Sequence, residues 1–350
     1  MLSYVCKRLF LVIPTLFGII ALNFFIIQLA PGGPVEQMSA KLTNTLRSES
    51  SIGSIHLQTY QGAKGLDREL IEQLKVMYGF DKPIGERFLI MLQNYIHFDF
   101  GTSFYREAEV LSIIKEKLPV SITLGVLSTL IIYCISIPLG IAKALYDGSS
   151  FDTFTSICVT LLYSIPPFLF AILLIVLFAG GSFWDIFPLK DLVSQNFDSL
   201  GTWDKIKDFL WHVTLPLLCI CVGGFASLTL LVKNSFLDEI HKGYVLLARS
   251  KGASNMRVLY GHVFRNAMLL LITLFPSTFI GMFFSSNLLI EIIFNLDGLG
   301  LLGYDSVITR DYPVVFGTLF IFTLIGLFAN ILSDLLYMVI DPRINFDKTH

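Results

Sequence analysis

The chain has 350 residues, 54% of them hydrophobic and 15% charged, with a net charge of −2. With a mean hydropathy of +0.70 it is far too apolar for a soluble domain, so lipid is its expected solvent. A sequence pI near 6.3 leaves no basic excess of the kind that tracks a nucleic-acid backbone, and five cysteines in or beside apolar runs argue against a disulfide framework.

The first element is an uncharged run, Leu9–Ala30, behind Lys7 and Arg8. Pro31-Gly32-Gly33-Pro34 follows it in place of a small-x-small cleavage site, so it reads as a retained spanning helix and not as a secretory signal. Residues 31–117 are the one stretch with the character of a subdomain. Ser39–Gly65, rich in Ser, Thr, Gly and Gln, is expected to be a mobile surface segment. Leu70, Ile71, Leu74 and Met77, then Phe88, Met91, Leu92 and Tyr95, recur at helical spacing and predict two short amphipathic helices on the outer face.

Five more segments lack charged residues and His over the length a hydrocarbon core requires: Leu118–Ala142, Phe154–Phe178, Val213–Val232, Ala267–Ile290 and Val314–Leu332. Internal Pro138, Gly140, Pro166-Pro167, Pro216, Gly223-Gly224 and Pro276 predict kinked, closely packed membrane helices. The loop 179–212 holds all three tryptophans, Trp184, Trp203 and Trp211. Anchoring at the membrane interface and a substrate-facing aromatic wall both fit them.

The basic residues set the expected orientation. One side holds Lys7, Arg8, Lys143, Lys233, Lys242, Arg249, Lys251, Arg257, Arg265, Arg343 and Lys348. The short loops of the other hold Lys190, Lys205, Lys207 and Arg310, so both termini are expected in the cytoplasm. The expected divisions are 1–30, an outer subdomain 31–117, a transmembrane core 118–340 with a cytoplasmic loop 233–266, and a tail 341–350.

The signatures of catalysis are absent. No Gly-Lys dipeptide occurs, so no P-loop of the form G-x-x-x-x-G-K-[ST] exists, and neither H-E-x-x-H nor G-x-S-x-G is present. Cys219-x-Cys221 lacks the second pair or the histidines of a zinc site. Gly298, Gly300 and Gly303 predict a tight re-entrant turn. A proton-coupled carrier, the rival transport class, needs ionisable groups at membrane depth, and the six uncharged segments hold none. Asp334 lies beyond the last of them, where helix-end solvation and a relay role both fit it.

The remaining feature is the loop 233–266, with an amphipathic helix around Tyr244, Leu247 and Ala248, which fall on one face. Gly252 is placed to close that helix as a left-handed cap, with Lys251 at its negative end. Tyr244–Ser254, Val258-Leu259 and His262–Ala267 resemble the EAA-type coupling loop of peptide-importer permeases of the Dpp/Opp group. The resemblance takes in Arg8-Leu9-Phe10, Pro14-Thr15, Ala30–Pro34, Phe98–Ser103, Leu118–Gly125, Gly298-Leu299-Gly300, Arg310–Pro313 and Asp341-Pro342-Arg343. The long serine-rich outer loop and Asn234–Glu239 bring the chain nearest to the YejB-type branch, which is associated with oligopeptides and the peptide-nucleotide microcin C. Leu246 stands where the general consensus has Glu, and Phe264-Arg265 replaces its Leu-Pro; Ala248 and Gly252 are retained.

The resemblance implies an all-α membrane protein with six spanning helices of the type I importer (MetI-like) fold. It implies a second homologous permease, cytoplasmic ATPases that carry the ATP and Mg, and a periplasmic peptide-binding protein; the chain itself would bind no cofactor. It makes Tyr244, Leu247, Ala248, Arg249, Lys251 and Gly252 the ATPase-coupling residues. Asn23, Gln28 and Asn287 are polar positions in the apolar segments, as compatible with a substrate path as with hydrogen bonds between helices.

Overall fold

The computed structural model describes residues 2–29, 81–106, 108–181, 183–284 and 287–340, with side chains at 2–8, 23, 26–29, 276–284, 287, 333 and 336–340 outside that description. The expected surface segment Ser39–Gly65, the helix at Leu70–Met77 and the motifs Ala30–Pro34 and Asp341–Arg343 lie outside the described residues. The described residues are mostly α-helical, in the order α1 Leu2–Leu29, α2 Ile84–Ile96, α3 Val110–Leu145, α4 Ser150–Ser164, α5 Pro167–Phe178, α6 Thr202–Ile240, α7 Gly243–Ser250, α8 Asn255–Val258, α9 Phe264–Phe284, α10 Asn287–Ile293, α11 Leu299–Thr309 and α12 Tyr312–Ile340.

Among the described residues four helical stretches are long and apolar enough to cross a membrane: Val110–Leu145, Thr202–Ile240, Asn255–Phe275 and Tyr312–Leu332. α1 contributes a shorter apolar stretch, Leu9–Leu22. The expected single span Phe154–Phe178 is instead two helices, α4 and α5, bent by 94°. The cause is local: Ile165, ahead of Pro166, is extended (φ −88°, ψ 118°), as a residue before proline prefers, and Pro167 starts the next helix at its first position. Of the expected run Ala267–Ile290, residues 267–284 lie in α9 and 287–290 in α10.

The chain forms two compact units, one of Met1–Phe10, Glu116–Tyr304 and Phe322–His350, the other of Leu11–Lys115 and Asp305–Ile321. In the second, the predicted amphipathic helix is α2, and its Phe88 sits among Phe17, Phe24 and Phe25 at centroid distances of 5.7, 5.3 and 5.9 Å. Such pairs contribute about 1 kcal/mol each beyond their burial. Ser103 donates to Asp311 Oδ2 at 2.5 Å and the Phe104 amide donates to Oδ1 at 3.1 Å, so a buried carboxylate joins the segments Phe98–Ser103 and Arg310–Pro313.

In the first unit, glycine lets α3 and α6 approach closely. A Cβ on Gly140 would lie 2.6 Å from Val232 Cβ and 2.9 Å from the Thr229 carbonyl oxygen, and one on Gly224 would lie 2.7 Å from Ile132 Cδ1. Lys143, counted from sequence as a loop cation, is fully buried. Its ammonium meets Asp152 Oδ1 at 2.9 Å, Ser156 Oγ at 2.7 Å and Thr155 Oγ1 at 2.9 Å. Lys233 of α6 reaches Asp147 at 2.8 Å and the second oxygen of Asp152 at 2.7 Å. Two cations and two anions thus neutralise one another where α3, α4 and α6 meet, as burial of charge requires.

The glycines after α10 do not make the expected turn. The left-handed residue there is Asn295 (φ 50°). Gly298 and Gly300 instead leave room for the fully buried carboxylate of Glu291, into which a Cβ on Gly298 would collide. That carboxylate accepts the Leu301 amide at 2.7 Å and the Ser121 hydroxyl at 3.3 Å, while Ser121 Oγ accepts the Leu299 amide at 2.7 Å. Glu291 therefore caps the start of α11 from a neighbouring helix. All three tryptophans are exposed; Trp211 donates to the Ile186 carbonyl at 2.9 Å and Trp184 stacks on Phe178.

Candidate functional site

The loop 233–266 is built outward from an apolar floor. Val245, Val258, Leu259 and Val263 are buried in one cluster with Ile141, Val232, Phe236, Ala267 and Leu271, which seats α7, α8 and the start of α9 against the adjoining ends of α3 and α6. Between α8 and α9 the turns widen into a π-helix, Leu259–Val263, a form found most often as a single turn at functional sites.

Two residues, His241 and Lys242, separate α6 from α7. α7 ends in a Schellman motif: Gly252 adopts φ +81°, its amide donates to the Arg249 carbonyl at 2.9 Å, and the Ala253 amide donates to the Ala248 carbonyl at 3.2 Å. The left-handed conformation expected at Gly252 is present.

The face expected to carry Tyr244, Leu247 and Ala248 together is divided. Tyr244 and Ala248 pack against the buried cluster beside Val245, whereas Leu247 is 57% exposed and Leu246 69%. On an α-helix turning about 100° per residue, the buried face centres between Tyr244, Val245 and Ala248, and Leu247 falls roughly a quarter-turn off it. Arg249, Lys251 and Gly252 are exposed. The outward surface of α7 is therefore Leu246, Leu247, Arg249 and Lys251, joined by exposed Met256 and Tyr260.

Behind that surface lies a polar knot. The Tyr244 phenol donates to Glu239 Oε2 at 2.7 Å and accepts from Asn266 Nδ2 at 3.2 Å, while Lys242 Nζ meets Glu239 Oε1. Burial, then the bond to the Glu239 carboxylate, pushes the Tyr244 phenol up to about 12, so it stays protonated and donates at neutral pH. Sequence spacing gave no sign of Glu239 or Asn266, because the helix break at 241–242 removes the i, i+4 relation that flags partners within one helix. The side chains of Asn23, Gln28 and Asn287 lie outside the described residues. No group of three or more metal-ligating side chains occurs among the described residues.

The family described as "Binding-protein-dependent transport system inner membrane component" matches residues 136–346, more than half of the chain and all of this loop. The chain belongs to that family. This transport component is 57% identical over 360 residues to the inner membrane ABC transporter permease protein YejB of Escherichia coli O157:H7, and 56% over 359 residues to the peptidoglycan transport system permease protein YejB of Agrobacterium fabrum, covering 99% of each chain in both cases. It is 33% identical over 350 residues to the oligopeptide transport system permease protein AppB of Bacillus subtilis, covering 99% of this chain and 100% of the relative. Kinship with the Dpp/Opp permeases, expected from the motifs, is thereby established. A structure of the MetNI methionine ABC transporter in inward-facing form aligns with a TM-score of 0.50 at 16% identity, over 66% of this chain and 97% of that one. That likeness establishes the fold, which is of the MetI type. The component is an inner-membrane permease subunit of an ATP-binding-cassette importer.

Proposed function

We propose that this permease forms, with a second homologous permease, a transmembrane path for oligopeptides delivered by a periplasmic binding protein, driven by cytoplasmic ATPases that dock on α7. The observation that carries this reading is the outward surface of α7. Leu246 and Leu247 are exposed beside Arg249 and Lys251 on a short helix that is capped at one end and seated on a buried floor. An exposed apolar pair flanked by cations fits a groove on a partner protein. The names of the peptidoglycan and oligopeptide relatives support a peptide-containing substrate. ATP and Mg belong on the partner ATPases, since the chain has no P-loop. ATP-driven closure of those partners would shift the docked helices and turn the path from one side of the membrane to the other.

Reconstitution tests this reading. The purified chain alone is expected to show no ATP hydrolysis above background and no peptide uptake under a proton gradient, while the complete complex shows both hydrolysis and uptake. Gradient-driven uptake by the chain alone would replace this reading with a secondary carrier. Orientation is tested separately: a cysteine at Asn196 is expected to react with an impermeant reagent from outside, and one at Ser254 only after the membrane is opened.

A further inference from the structure

Outside their helices only His241 and Lys242 connect α6 to α7. A two-residue joint fixes how far apart two helices lie, but leaves an eight-residue helix free to rock when it is pushed. The apolar floor under Val245 and Val258 does not remove that freedom, because hydrophobic contact is non-directional. Directional bonds do. Glu239, in the last turn of α6 and 9% exposed, accepts the Tyr244 phenol at 2.7 Å, and Asn266, in the first turn of α9, donates to the phenol oxygen at 3.2 Å. One phenol is thereby bonded to both long helices that border the loop.

We propose that Glu239, assisted by Asn266, is a positioning residue for energy coupling: through Tyr244 it makes α7 and the inner ends of α6 and α9 turn as one body, so that displacement of α7 reaches the transmembrane helices. This inference rests on the reading of α7 as the ATPase-docking helix. A bond between a phenol and a buried carboxylate is charge-assisted and therefore stiff. Lys242 balances the charge from the other oxygen, Oε1. Asp238, on the adjoining position, is exposed and carries the same charge, which makes it the control.

The test is made on the complete importer in liposomes, measuring ATP hydrolysis and uptake of labelled tri-alanine on the same sample. Glu239→Gln and Tyr244→Phe are each expected to lower the peptide moved per ATP about tenfold, within the usual range of coupling between sites. The double variant should be no worse than Tyr244→Phe alone, because the charge of Glu239 acts on α7 through the phenol. Asp238→Asn should leave the ratio unchanged. An unchanged ratio in the first two variants overturns the proposal, as does a fall of hydrolysis and uptake together in step with lost subunits, which marks a merely structural role. The docking reading is checked independently with Leu247→Asp, expected to release the ATPase on purification. If that variant keeps its ATPase and full uptake, it is the docking reading that fails.

Discussion

Peptide uptake is expected to fall at least tenfold when Gly252 is replaced by leucine or valine, with the subunit inserted at its normal level, and to keep half or more of its rate when asparagine stands there. The site is open, since a Cβ on Gly252 would meet no atom within 4 Å. Backbone conformation is therefore what penalises a side chain. At φ +81° an ordinary L-residue costs about 1–2 kcal/mol, asparagine less, and a β-branched residue most. About 1.4 kcal/mol is a factor of ten in an equilibrium, enough to unwind the Schellman cap and turn Arg249 and Lys251 from the directions they now hold. Insertion is unaffected because Gly252 lies outside the apolar spans. Uptake at matched protein level decides the matter. Equal rates for asparagine and valine would show that the cap geometry is irrelevant to transport.

The second large effect is expected at Gly140. A methyl group there would lie 2.6 Å from Val232 Cβ and 2.9 Å from a backbone carbonyl oxygen, neither of which swings aside by changing rotamer. At Gly224 the opposing atom is the Cδ1 end of Ile132, which rotates away more easily. Gly140→Ala is therefore expected to destabilise the protein by about 3 kcal/mol, the upper range of overpacking, and Gly224→Ala by about 1 kcal/mol. Thermal unfolding in detergent measures the difference. Equal losses at the two positions would mean that α3 and α6 separate freely, with no fixed distance set by Gly140.

Much of the architecture was legible because lipid imposes a simple rule: long uncharged runs become helices, and α3, α6 and α12 lie where those runs lie. The break at Ile165 was also written in the sequence, in Pro166-Pro167, but as a kink within one span; the structure makes it a bend of 94° between two helices. Within the site, Gly252 was readable since a glycine after a short helix has one main use. The division of Tyr244 from Leu247 was not, because an eight-residue helix offers too few turns for its pattern to show which face is buried. Partners distant in the chain were invisible for a different reason. Nothing local marks Ser121 as a neighbour of Leu299, or Glu239 as the acceptor of a phenol beyond a helix break.

The buried group at Lys143 bears on how the chain comes together during synthesis. Lys143, Asp147 and Asp152 emerge from the ribosome within ten residues of one another, and that first helical pair carries one negative charge too many. Balance arrives only with Lys233, 81 residues after Asp152. Until then the corner between α3 and α4 retains a charge that resists leaving water. Arrival of α6 both fills the packing gap opposite Gly140 and cancels that charge. A nascent chain halted before Lys233 thus lacks the cation that balances Asp147 and Asp152 in the finished subunit.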